Sequence, residues 1–169
     1  MVHDMDISGA YAPILTPFSQ DGRTVNLAAF HQHLAFLDKA GLSGVLVLGT
    51  NGEFGYLSKE ERLQLVESVI GAGTSLRIIV GGTVPDSPED TQALVDQLGE
   101  YSDRLTAILV APPFYDTYSN AGEVSEAVVL DFYHRLAGIQ SRLPLVLYNV
   151  PVPPEGRMTA PVTPGMVGA

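Results

Sequence analysis

Gly44-Val45-Leu46-Val47-Leu48-Gly49-Thr50-Asn51-Gly52-Glu53 runs an apolar stretch without polar alternation into a turn rich in glycine. An unbroken Val/Leu run of this length reads as a parallel strand buried on both faces. Four other runs have the same character: Tyr11–Leu15, Arg77–Val80, Leu105–Val110 and Leu145–Tyr148. Centred on Ile14, Val47, Ile79, Leu109 and Val146, the five recur at intervals of 33, 32, 30 and 37 residues. One β/α unit of an eight-unit barrel takes roughly 30 residues.

Helical patterns lie between the runs. Leu27, Phe30, Leu34 and Leu37 share one face, and Gly41 follows as a C-terminal cap. Ser58 and Glu61 have capping-box spacing, with Leu63, Val66 and Val69 or Ile70 continuing the apolar face. Ser87-Pro88 puts a cap and a first-turn proline before Leu94, Val95 and Leu98. Asn120 with Glu123 opens a fourth helix through Val124, Val128, Phe132 and Leu136, closed by Gly138. Strand and helix alternating in this way mean an α/β fold with a parallel sheet. The spacing points to a (β/α)₈ TIM barrel, of which this chain holds about the first five units. Five strands also suit a doubly wound domain, but its receiver type needs acidic strand ends to hold a metal. The ends here are Thr16, Gly49-Thr50, Gly81-Gly82, Ala111-Pro112 and Tyr148-Asn149.

The length of 169 residues predicts a single domain, 1–169, ending in a proline-rich tail over 152–169. A formal net charge of −10 repels phosphate backbones and anionic lipids, so nucleic acid and membrane are not expected partners. There is no cysteine, which excludes disulfides, thiolate metal sites and a cysteine nucleophile. Met1 to Ala12 lacks a basic region followed by an apolar run, so no signal peptide is expected. The expected compartment is the cytoplasm, or else an organelle matrix.

Barrel chemistry sits at the C-terminal ends of strands. Gly49–Glu53 is such a position, and successive N–H groups in a glycine-rich turn suit a small carboxylate. A plain strand-to-helix turn would read the same. The turn matches neither nucleotide-binding glycine pattern. Tyr148 stands at the end of the fifth run, where a phenol can move a proton or simply fill the barrel top. Pro112-Pro113-Phe114-Tyr115 is a stiff aromatic loop, suited to a lid, a subunit contact or loop packing. His3 lies in the N-terminal segment and His31, His33 and His134 on helical patterns, so no metal site is assigned. Lys39 and Lys59, the only lysines, read as solvated helix residues.

Four motifs occur together: Ala12-Pro13-Ile14-Leu15-Thr16-Pro17-Phe18, Gly49-Thr50-Asn51-Gly52-Glu53, Pro113-Phe114-Tyr115 and Tyr148-Asn149-Val150-Pro151. In this order and spacing they resemble the dihydrodipicolinate synthase / N-acetylneuraminate lyase superfamily over Gly9 to Pro151. The resemblance implies a class I, pyruvate-dependent aldolase or lyase. In that family a lysine on the sixth strand forms an imine with a 2-oxo acid, which then serves as electron sink without any cofactor. Carried over by motif, Thr50 and Asn51 would hold the pyruvoyl carboxylate and Tyr148 would move protons. Tyr115 would reach a neighbouring subunit's site in a homo-oligomer, a dimer or tetramer, and Glu53 would support the turn. Asn51 stands where many members have a second threonine. With the Phe54 and Pro-Pro-Phe-Tyr features, it is nearer the 4-hydroxy-2-oxoglutarate aldolase branch than the dihydrodipicolinate synthases. An arginine that binds a carboxylate follows the tyrosine motif closely in the synthases; here Arg157 comes six residues after Pro151. Unit spacing puts a sixth strand near roughly 176–180. The imine lysine is therefore expected beyond Ala169, and the 169-residue chain alone is expected to be inactive. The alternatives are a half barrel used for binding or association, and a doubly wound ligand-binding domain.

Overall fold

All five apolar runs form strands in the computed structural model, which describes residues 7–84, 87–111, 126–139 and 143–148. In chain order the elements are β1 (Tyr11–Pro13), α1 (Leu27–Lys39), β2 (Gly44–Val47), α2 (Lys59–Gly71), β3 (Arg77–Gly81), α3 (Pro88–Leu98), β4 (Ala107–Val110), α4 (Glu126–Gly138) and β5 (Leu145–Leu147). The strands make one parallel sheet in the order β1-β2-β3-β4-β5. Tyr11 pairs with Gly44, and Gly44 pairs with Arg77. A doubly wound domain reverses its strand order at a switch point. Here each strand lies beside its sequence neighbour, as in an arc of a barrel, and the doubly wound alternative falls on that order.

Local chemistry explains the helix boundaries. The Asn26 side chain accepts the Ala29 N–H at 3.0 Å to start α1, and Gly41 follows its end at φ +77°. Ser58 and Glu61 form the expected capping box on α2: the Ser58 hydroxyl accepts the Glu61 N–H at 3.2 Å, and the Glu61 carboxylate accepts the Ser58 N–H at 2.9 Å. Removing it with Ser58→Ala should cost about 1 kcal/mol, read as a lower urea midpoint at unchanged slope. Ser87 caps α3 with Pro88 in the first turn.

Two faces differ from the sequence pattern. In α2, Leu65 is fully buried with Val66 and Val69, while Leu63 is only half-buried. In α4, Val129 is fully buried and Val128 lies in solvent. Phe132 and Leu136 fix that face, and Val129 lies three residues before Phe132. Steps of four alone, as in Val128–Phe132–Leu136, drift about 40° per step around a helix of 3.6 residues per turn. The opening of this helix at Asn120 and Glu123, and the tail over 152–169, lie outside the described residues.

The chain divides into two compact units, Met1–Gly81 with Tyr101–Ile108 and Gly82–Glu100 with Leu109–Ala169. In the first, Phe30, Leu34, Val45, Leu65, Val66 and Val80 are fully buried. In the second, Val95, Leu98, Val110, Val129 and Leu136 are.

Candidate active site

β2 hands over to the glycine-rich turn through Leu48, a buried leucine at φ +58°. The sequence run ends the strand at Leu48; the structure ends it at Val47 because Leu48 has left the extended region. Gly49 is extended, Thr50–Gly52 form a 3₁₀ turn, and Glu53 is again left-handed at φ +57°. The Gly52 N–H donates to Gly49 O at 2.9 Å and the Glu53 N–H to Thr50 O at 3.0 Å. Thr50 and Asn51 are exposed, and no acceptor among the described residues takes their backbone N–H groups. Glu53 supports the turn through its backbone; its side chain is exposed.

Two residues to which sequence reasoning gave no role in this turn hold it from either side. Thr16, after β1, is 6% exposed and donates its hydroxyl to Gly52 O at 2.7 Å. Gly81, the last residue of β3, lies against the Leu48 carbonyl so closely that a Cβ there would collide with it. The signal available in the sequence was position alone, a hydroxyl and a glycine at neighbouring strand ends. Elsewhere in the first motif, backbone bonds tie the strand end to its neighbours. The Ile14 N–H bonds Leu46 O at 3.0 Å, and Pro17 O accepts the Asn26 N–H at 2.8 Å. Beyond it, the Ser19 hydroxyl and then the Arg23 N–H bond the Asp21 carboxylate and hold its pKa below the ordinary value. Asp21 is thus an anion at neutral pH that closes a surface turn.

In the second unit Tyr148 stands one residue beyond β5, not within it as the sequence run suggests. Its N–H still continues the pairing, donating to Val110 O at 2.8 Å, and the residue is 38% exposed. The end of β4 is tied by Thr83, whose hydroxyl accepts the Ala111 N–H at 2.9 Å and donates to Ala111 O at 3.1 Å. Tyr115, Asn149 and Arg157 lie outside the described residues. Lys39 and Lys59 are exposed, in the last turn of α1 and the first of α2. His31 bonds the Ser68 hydroxyl at 2.7 Å and His134 is exposed. Among the described residues no three acidic or histidine side chains converge as a metal would need. No helix among them is long and apolar enough to cross a membrane.

The model of the dihydrodipicolinate synthetase family matches residues 6–163. The chain belongs to that family. A relative from Emericella nidulans named "Probable 4-hydroxy-2-oxoglutarate aldolase, mitochondrial" is 32% identical over 151 residues, which is 86% of this chain and 46% of the relative. The solved structure of a prophage protein of the dihydrodipicolinic acid synthase family from E. coli K12, in complex with pyruvate, matches with a TM-score of 0.73 at 27% identity. The match covers 86% of this chain and 45% of that one. The dihydrodipicolinate synthase of Acinetobacter baumannii, also complexed with pyruvate, matches with a TM-score of 0.74 at 26% identity, covering 86% and 46%. This dihydrodipicolinate synthetase family chain therefore spans just under half the length of the relatives it matches, and its sheet is the arc of a β/α barrel.

Proposed function

We propose that this chain carries the pyruvate-binding turn and the proton-moving tyrosine of a class I, Schiff-base aldolase or lyase. The observation that carries the reading is the Gly49–Glu53 turn. It stands at a strand's C-terminal end, is buried at Gly52, and leaves the Thr50 and Asn51 N–H groups open to a ligand among the described residues. A carboxylate accepting two N–H bonds there would orient a 2-oxo acid by charge-assisted hydrogen bonds. The family motifs give Tyr148 the proton transfers at the carbinolamine and at the carbonyl that leaves or enters. They give Tyr115 the reach into a neighbouring subunit's site in a homo-oligomer. The two relatives solved with pyruvate support a pyruvate-type substrate. The Asn51 variant of the turn favours 4-hydroxy-2-oxoglutarate cleavage over dihydrodipicolinate synthesis. The cytoplasm or an organelle matrix is the compartment that suits such an enzyme.

The imine requires an amine that is unprotonated near neutral pH and faces the bound carbonyl. Lys39 and Lys59 are exposed on the helical layer and are not that amine. A polypeptide of these 169 residues alone should therefore form no adduct. Pyruvate with sodium borohydride, followed by intact mass and peptide mapping of the intact protein, tests the reading. The expected result is a stoichiometric reduced adduct on neither Lys39 nor Lys59. An adduct on either would overturn both the mechanism and the residue assignments. Pyruvate should also shift the Thr50 and Asn51 amide signals before others, and shifts confined to other loops would remove the carboxylate role from this turn.

A further inference from the structure

We propose that Thr16 is a positioning residue for the Gly49–Glu53 turn, setting pyruvate affinity through the Gly52 carbonyl without touching the ligand. This rests on the carboxylate role proposed above for that turn. The turn is conformationally expensive. Leu48 and Glu53, neither of them glycine, flank it in the left-handed region. Such residues are strained and persist only where their surroundings over-determine them.

Two contacts from neighbouring strand ends do so. On the β3 side, Gly81 leaves room for the Leu48 carbonyl, which a side chain would displace. On the β1 side, the buried Thr16 hydroxyl donates to Gly52 O at 2.7 Å across 36 residues of sequence. Gly52 also donates its own N–H to Gly49 O. Its two peptide groups are thus held at once, one from inside the turn and one from β1. The Thr50 and Asn51 N–H groups lie on the segment that the Gly52–Gly49 bond closes and that the Gly52 carbonyl ties to β1. Their direction is fixed only while the Gly52 carbonyl is. Removing the hydroxyl leaves a buried carbonyl without its donor, and the turn can recover by rotating the peptide toward water. That rotation changes where the Thr50 and Asn51 N–H groups point.

The test compares Thr16→Val, which keeps shape and loses the donor, with Thr16→Ser, which keeps the donor, in the intact protein. The readouts are the apparent Kd for pyruvate and the Thr50 and Asn51 amide shifts, both taken well below the melting temperature. Thr16→Val should bind pyruvate about fivefold to tenfold more weakly, the effect of one lost buried hydrogen bond, with kcat at saturating pyruvate much less affected. Thr16→Ser should stay within about twofold of the parent. A Thr16→Val protein that melts earlier yet binds pyruvate like the parent overturns the proposal, because the hydroxyl would then serve stability alone. If Thr16→Val does not fold, Thr16→Cys replaces it. A weak thiol donor should give an intermediate loss of affinity, and parent-like affinity overturns the proposal. The parent arm separates the two readings. If pyruvate leaves the Thr50 and Asn51 amides of the unaltered protein unmoved, the carboxylate role fails first. If it moves them but Thr16→Val binds equally well, only the positioning role fails.

Discussion

Tyr148→Phe in the intact protein should slow the aldol reaction by about 10²–10⁴-fold, the usual contribution of one positioned acid–base group. Phenylalanine keeps the ring, and the backbone bond from residue 148 to Val110 O at 2.8 Å does not involve the side chain. The placement of the residue should therefore survive and only the proton carrier be lost. Borohydride trapping should reach the same final adduct level more slowly, because the role proposed for the hydroxyl is proton transfer in imine formation and not holding the carboxylate. The useful control is Tyr133→Phe. The Tyr133 hydroxyl reaches the same Val110 carbonyl through a long bond of 3.5 Å, so losing it perturbs the same strand end without removing a proposed catalytic group. A Tyr148→Phe enzyme with parental kcat, or a Tyr133→Phe enzyme equally slow, would remove the assignment.

The legible parts of the molecule were those with local causes. β2, β3 and β4 fall where unbroken Val, Ile and Leu runs lie, because burial on both faces demands that composition, whereas β1 and β5 are only half-buried to exposed. Ser58 with Glu61, and Ser87 with Pro88, announce their helices because a cap and its partners are within four residues of each other. Leu48 shows the opposite case. It reads as the last residue of a strand, and leucine disfavours a positive φ. What permits φ +58° there is the absent side chain of Gly81, 33 residues away. The Thr16–Gly52 bond is equally non-local, so the motif could mark Thr16 as a strand end but not say what it holds. The exchanges of Leu63 for Leu65 and Val128 for Val129 have another cause. A helix face is several residues wide, and the packing partner selects which apolar residue at its margin turns inward.

Gly44→Ala should be among the most destabilising single-methyl changes in the chain, although it leaves every hydrogen-bonding group in place. Gly44 sits in the second of three adjacent strands, paired with Tyr11 on one side and Arg77 on the other. A Cβ at this position would meet the Tyr11 ring and the Arg77 backbone carbonyl, both closer than real carbon contacts allow. The ring could turn away, but Arg77 stacks over it at 5.6 Å and also bonds Ser8 O, so moving it disturbs a second contact. The carbonyl cannot move without shifting β3 against β2. Overpacking of this kind costs typically about 1–3 kcal/mol and occasionally more. The backbone half of the clash makes a sharper expectation. Removing the ring as well, in Tyr11→Ala with Gly44→Ala, should not restore parental stability, because the Arg77 carbonyl remains in the way. Gly71→Ala supplies the opposite sign. Gly71 ends α2 with nothing near the position of its missing Cβ, so alanine should stabilise by up to about 1 kcal/mol through helix propensity. Urea midpoints at unchanged slope read all three. A Gly44→Ala midpoint equal to the parent's would mean that β1 and β3 yield to a methyl group, and the packing described for these strands would be too tight.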